Sequence, residues 1–384
     1  MEFKTLTEEE FKVFSNNHKY KNFFQTIETG LLREKAGFKK HFVGVIKNNK
    51  IIAASLLVSK TAFLKKKMFY APRGFLIDFE NIDLLEFFTN NVKKYAQSNN
   101  GLYIKIDPYV PYKERDLDGN IVENGFNNQQ IINNLKKLNF KHYGFTKYHY
   151  KTEQVRWMFV LDIEDKTEDQ ILKEMKQIAR RKIKRIKKSN YEIKELKKDE
   201  IDIFSNILKQ TGNRKGFNSQ SLNYFKNLYD IYSKSNTVKF LLAKLNLENY
   251  KNILSQNSKE KADDINKLIK THGKEIEISS SVFITYGDEI IYLFGGNKEE
   301  FLTFNGQYAL QWEMIKYGIK NNYKRFNFYG ISGNFDPKDS QYGIYNFKRG
   351  FNGYVVELIG EFDLPTSYLY YIYKILKKVK RVIK

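Results

Sequence analysis

"AQSNNGLYIKIDP", residues 96–108, and "IKNNYKRFNFYG", residues 319–330, carry the same arrangement twice. Each is the tail of a helical stretch, then an asparagine pair, then a short strand-forming run. The first run ends at Asp107 and the second passes into a glycine loop. Upstream of the first copy, "HFVGVIKNNKIIAASLLVSK" (41–60) reads as two strands turning at Asn48–Asn49. "MFYAPRGFLID" (68–78) reads as a strand ending at Asp78. A helix follows over about Asp83–Gln97, with Leu84, Leu85, Phe88, Val92 and Tyr95 on one face. Upstream of the second copy, "TVKFLLAKL" (237–245) is a strand, and "ISSSVFITYGDEIIYLFGGN" (278–297) is a hairpin turning at Gly287–Asp288. The matching helix runs over about Gln307–Asn321, with Leu310, Met314, Ile315 and Tyr317 at helical spacing. Two copies of a mixed α/β module are more economical than one large sheet. The expected class is therefore α+β, with mixed sheets flanked by helices. The expected division is 1–150, 151–365, and a basic helix over 366–384.

The second copy carries an insertion in its hairpin, Asn246–Glu275. It is polar, and Leu254, Ile265, Leu268 and Ile269 allow two short helices, either a projecting arm or an ordinary surface excursion. Between the copies lies "EDQILKEMKQIARRKIKRIKKSN" (168–190), whose Ile171, Met175, Ile178, Ile183 and Ile186 form one helical stripe. Nine cations fall in the 16 residues from Lys173 to Lys188, Arg180, Arg181, Lys184, Arg185 and Lys188 among them, with one acid, Glu174. Like charges repel along a helix, so this density points to a polyanion partner. The final stretch, "SYLYYIYKILKKVKRVIK" (367–384), reads as a helix that either lies on an anionic membrane or packs one face inward and leaves its lysines in water. Packing is the favoured expectation.

Composition sets the outer bounds. The chain has 384 residues, 41% hydrophobic and 16% aromatic, enough for two cores. Sixty-six Lys and Arg against 44 Asp and Glu give a net charge of +22, which speaks of nucleic acid, an anionic membrane face or phosphorylated substrates. There is no cysteine, which removes thiolate catalysis and cysteine-held metals. The five histidines (18, 41, 142, 149 and 272) match no usual ligand spacing, so neither a metal nor a cofactor is expected. The acidic start lacks the apolar core of a signal peptide, and no run approaches the ~18 apolar residues of a spanning helix. A soluble cytoplasmic protein is the expectation.

"YGIYNFKRGFNGYVVELIGEFDLP" (342–365) opens like a strand yet places Lys348 and Arg349 within it. Either both cations lie on a solvated face or an anionic ligand meets them. With "NGQYALQWEMIKYGIKNNYKRFNFYGISGNF" (305–335) before it, this stretch resembles the FemABX family of peptidyltransferases. "FFQTIETGLLREKAGFKKHFVGVIKNNKIIAASLL", "APRGFLID" and "LYIKIDPYV" resemble the first domain of that family, so the likeness runs over most of the chain in order. It implies two tandem N-acetyltransferase-like domains with a helical arm, here shorter than in FemA-like members, inserted in the second. The activity it implies adds an amino acid from aminoacyl-tRNA to a peptidoglycan precursor, either lipid II or UDP-MurNAc-pentapeptide. The ester linking amino acid to tRNA is already activated, so no covalent enzyme intermediate is needed.

Residue by residue, the resemblance places Lys348 at the reaction centre, with Phe347 beside it. Asp107 matches an aspartate sometimes assigned as general base, and Arg33 stands where the family grips phosphates with lysine. Asp78, Tyr224 and Tyr292 match substrate-site positions. Phe294 replaces a tyrosine found in some relatives, and Gln220 replaces an arginine. The basic helix becomes a tRNA-contacting element, and peripheral contact with the inner face of the membrane is compatible with a lipid-linked acceptor. Two other readings remain: a non-catalytic RNA-binding module, and a homologue aminoacylating a different acceptor.

Overall fold

A computed structural model describes residues 1–148, 152–189, 191–255 and 259–382. The chain divides into two compact units: residues 1–158, 330–335 and 355–384, and residues 159–329 and 336–354. The division expected from sequence differs, because residues 151–158 and 355–365, and a short loop at 330–335, fall with the first unit.

The first unit is built on a seven-stranded sheet in the order Glu2–Thr5, Lys39–Lys47, Lys50–Phe63, Lys66–Ala71, Gly101–Ile106, Phe362–Pro365, Lys141–His142. Asn48 (φ 51°) and Asn49 (φ 60°) both take left-handed backbone, as a tight hairpin turn requires. Lys66–Ala71 and Gly101–Ile106 pair in parallel, joined by the crossover helix Ile82–Ser98, which buries Leu84, Leu85, Phe88 and Val92. The asparagine pair ends that helix by a specific device. Asn99 donates its side-chain amide to the Tyr95 carbonyl at 2.9 Å, and Asn100 turns left-handed at φ 62°. The strand expected to reach Asp78 stops at Ala71. Pro72 has no N–H for the ladder and Arg73 sits at φ 58°, so only Leu76 returns, as an isolated bridge to Ala54.

The second unit repeats this plan. Its strands run in the order Trp157–Asp162, Arg325–Ile331, Glu289–Asn297, Glu275–Tyr286, Val238–Asn246, Glu192–Glu195, the first two beginning or ending at the unit boundary. Glu289–Asn297 and Arg325–Ile331 pair in parallel around the helix Gly306–Lys320. Asn321 caps the Tyr317 carbonyl at 2.7 Å and Asn322 turns at φ 57°, the same termination as in the first copy. The insertion forms two helices, Leu247–Ser255 and Lys259–His272. Leu247, Tyr250 and Ile265 pack with Phe301 and Phe304, Leu268 and Ile269 beside them, so the pair is pinned to its sheet. The side chain of Leu254, and His149 in the first unit, lie outside the described residues.

Two sequence expectations are corrected here. The basic stretch is two helices, Glu168–Glu174 and Gln177–Lys188, because Met175 (ψ 148°) and Lys176 (ψ 146°) are extended. The Lys176 N–H donates to the Gly350 carbonyl, and Met175 turns into the core. The break rotates the stripe: Ala179 is buried where Ile178, 68% exposed, was expected. Tyr342–Arg349 is a helix, not a strand. The aromatic alternation misleads because Ile344 and Asn346 are exposed, while the buried positions Tyr345 and Lys348 are three apart, as on one helical face. Lys348 is thus buried rather than solvent-facing, and Arg349 is half-buried.

Candidate active site

In the second unit the helix Tyr342–Arg349 carries Lys348 inward until only 5% of it is exposed. Its ammonium lies 5.7 Å from the centre of the Tyr292 ring. Burial pushes the Lys348 pKa down to about 7, so the side chain is divided between charged and neutral forms near neutrality. Tyr292 donates its hydroxyl to Gln307 Oε1 at 3.0 Å, and the same oxygen accepts from Ser281 at 2.9 Å. Gln307 Nε2 is spent on the carbonyls of Gly296 and Ser280. This buried amide therefore fixes where the tyrosine hydroxyl sits, and burial raises the Tyr292 pKa, keeping it protonated. Gly295 leaves room for it: a Cβ there would fall 2.0 Å from the hydroxyl.

A bulge decides which side Tyr292 faces. Its cross-strand partner is Phe283, whereas Phe294 pairs with Val282, so Tyr292 and Phe294 lie on opposite faces. Phe294 packs against Phe225 and Tyr224 on the far face. Tyr224 and Tyr292, both named from sequence, are accordingly not brought together. Gln220 is exposed near the start of the helix carrying Tyr224. Phe347 stands edge-on to Tyr308 at 4.8 Å, and Lys182 of the basic helix lies 4.5 Å over that same Tyr308 ring. Of the five basic-helix residues named from sequence, Arg181, Lys184, Arg185 and Lys188 share an exposed face, while Arg180 folds back to cap the Lys173 carbonyl at 2.9 Å. Ser281, Gln307 and Tyr308 were given no functional role from sequence, and Lys182 only a place among the nine cations of the basic stretch. The one legible signal was a buried Gln307–Gln311 pair, four apart, on an otherwise apolar helical face.

The first unit holds a separate group. Asp107 follows the strand Gly101–Ile106 and is 2% exposed. Its Oδ1 accepts the Arg73 N–H at 2.7 Å and its Oδ2 lies 3.5 Å from the Arg73 guanidinium. Burial nevertheless prevails over Arg73 and pushes the Asp107 pKa up to about 7. Tyr70, fully buried, feels the charges of both Asp107 and Arg33, and burial holds its hydroxyl protonated. Neither the Tyr70 hydroxyl nor Asp107 Oδ2 makes a hydrogen bond of normal geometry among the described residues. Arg33, in the last turn of the helix Ile27–Lys35, is half-buried with its guanidinium 5.8 Å from the Phe38 ring. Asp78 does not join this group by any of these contacts; it pairs with Lys19 at 3.5 Å, both half-exposed. Among the described residues no cluster of His, Cys, Asp or Glu could hold a metal ion.

Comparison with known proteins gives the same outline. The sequence profile of the FemAB family matches residues 6–270 and 255–378. The curated proteins named Aminoacyltransferase FemA from Staphylococcus aureus strains bovine RF122 / ET3-1 and MRSA252 are each 33% identical, over 99% of this chain and 99% of theirs. Among solved structures, that of FemX superposes with a TM-score of 0.81 at 23% identity, covering 97% of this chain and 99% of its own. A tandem GNAT protein from the clavulanic acid biosynthesis pathway reaches 0.53 at 8% identity, over 95% and 98%. These last two establish the fold: two tandem N-acetyltransferase-like domains.

Proposed function

The chain belongs to the FemAB family and is an aminoacyltransferase, and from that premise we propose that it takes its amino acid from aminoacyl-tRNA and joins it to an amine on the stem or bridge peptide of a peptidoglycan precursor, lipid-linked in the cytoplasm. The amine nitrogen attacks the ester carbonyl, the carbon–oxygen bond to the terminal ribose breaks, and the ribose hydroxyl leaves with a proton. An amide results. The observation that carries this reading is a lysine buried to 5% exposure beside a tyrosine whose hydroxyl is fixed by Gln307.

In that reading Lys348 stabilises the tetrahedral oxyanion. A desolvated cation is worth more to a developing negative charge than a hydrated one, and the approach of an anion restores its proton affinity. Phe347 lines the same side. Asp107, with its pKa near 7, belongs to the precursor's site in the first unit as a group able to take up a proton. Arg33 grips the precursor's phosphates, where a guanidinium gives bidentate contacts. Arg181, Lys184, Arg185 and Lys188 meet the tRNA backbone through their exposed face, with Arg180 holding the start of that helix. Asp78, Tyr224 and Tyr292 belong to substrate binding. Support for the tRNA contact is electrostatic and shape-independent, so it should weaken steeply with salt.

The test mixes the protein with radiolabelled aminoacyl-tRNA and lipid-linked precursor and follows label into the lipid. Parallel reactions with the nucleotide-linked precursor report the acceptor form. Lys348→Ala is expected to abolish transfer while leaving tRNA binding intact. Transfer at the wild-type rate by that variant would overturn the assignment.

A further inference from the structure

The final helix, Leu369–Val382, docks through Leu369, Tyr370, Tyr373 and Lys374. Tyr370 is buried, and Tyr373 stacks on Tyr103 with ring centres 6.1 Å apart. Lys374 reaches in to within 2.7 Å of Asp363 Oδ2, a carboxylate fully shielded from solvent that also meets Lys105 at 3.4 Å and the Tyr370 hydroxyl at 3.1 Å. The helix thus rests an aromatic face on its unit and leaves Lys377 and Lys378 in water, while Lys374 alone of these lysines turns inward. A second apolar face is turned outward: Tyr371, Ile372, Ile375, Leu376 and Val379 are between 45% and 64% exposed. At 3.6 residues per turn they occupy one arc of about 140°. Tyr368, 76% exposed, stands just before the helix.

We infer that this outward face is a docking surface for an anionic lipid leaflet, the helix lying in the plane of the interface. The composition of the face argues for that occupant. Aliphatic side chains form its middle, tyrosines stand at its leading end, and the exposed Lys377 and Lys378 follow within the same turns, as in interfacial helices. A second copy of the chain is a poor alternative, since mating two such faces would bring two lysine-rich helices together on molecules of net charge +22. Anionic headgroups reverse that sign. The buried Asp363–Lys374 pair fixes the rotation of the helix, so the outward face is presented before any membrane is met. This inference stands apart from the reading of the reaction: a chain that binds vesicles but transfers nothing keeps the one and loses the other.

The experiment is co-flotation of the full chain with phosphatidylcholine vesicles, with and without phosphatidylglycerol. Binding is expected to the anionic vesicles alone and to decline with salt. Ile375→Glu with Leu376→Glu places charges on exposed positions, leaves the thermal unfolding transition in place, and lowers vesicle binding by about tenfold or more. Ile375→Leu with Leu376→Ile retains it. Equal binding by the glutamate variant, or no binding by the unaltered chain, overturns the inference. A dimer in sedimentation that the glutamate variant dissolves overturns it as well, in favour of a second copy.

Discussion

Replacing Lys348 with methionine is expected to raise stability and destroy activity together. Methionine keeps the length of the aliphatic stem while deleting a charge that burial disfavours. The lysine pKa falls from 10.5 to about 7 on folding, a change of about 3.5 units, and each unit is worth about 1.36 kcal/mol. The sign follows from proton counting. Between about pH 7 and 10.5 the unfolded chain holds a proton that the folded chain has released, so folding is favoured as pH rises. The handicap is thus fully present below about pH 7, at most about 5 kcal/mol, and is gone above 10.5. At pH 7 itself the lysine is half discharged and the handicap is about 4 kcal/mol. Urea unfolding of both chains at about pH 6, 8 and 10 reads the gap directly. The Met variant should lead by the widest margin at the lowest pH, and the curves should converge at the highest. A Met variant that is less stable at pH 6, or a gap that ignores pH, would refute the account of a desolvated cation.

Three further perturbations address other parts of the molecule. Asp107→Asn removes a carboxyl whose pKa rises from 3.8 to about 7 on folding; its stabilising contribution is complete below about pH 4 and lost as pH climbs through 7. Measured against the unaltered chain, the variant should gain up to about 1.4 kcal/mol per pH unit across that window, read from denaturant midpoints. Gly295→Ala sets a methyl group 2.0 Å from the Tyr292 hydroxyl, costing about 1–3 kcal/mol and slowing transfer, whereas Gly343→Ala, with open space around it, should leave both unchanged or slightly improved. Glu357 is buried between Arg115 and Arg156, so Glu357→Leu should cost about 3–5 kcal/mol in thermal or denaturant unfolding by stranding two guanidinium groups.

What was legible in the sequence was local. The hairpin at Asn48–Asn49 and the two asparagine-ended helices follow from the tolerance of asparagine for left-handed backbone, which is a property of the residue itself. Misread elements have their causes elsewhere in space. Tyr342–Arg349 shows aromatic alternation because its outward positions happen to be interleaved with aromatics; only the burial of Tyr345 and Lys348 reveals the helical face. The final helix is amphipathic whichever way it docks, and the choice lies with Asp363, whose buried carboxylate recruits Lys374. Lys348 and Tyr292 could be named from likeness to a family, yet the Gln307 and Ser281 contacts that hold the tyrosine depend on a bulge with no mark in the sequence.

The strand Phe362–Pro365 has a bearing on how the chain is made. It fills the place beside Gly101–Ile106 in the first sheet, and Glu361 and Asp363 neutralise the buried Lys105. During synthesis the leading unit therefore waits, with a raw strand edge and an uncompensated ammonium, until more than two hundred further residues have emerged. A fragment cut near residue 158 should be sticky and poorly soluble for that reason, and adding residues 355–384 in trans should rescue it.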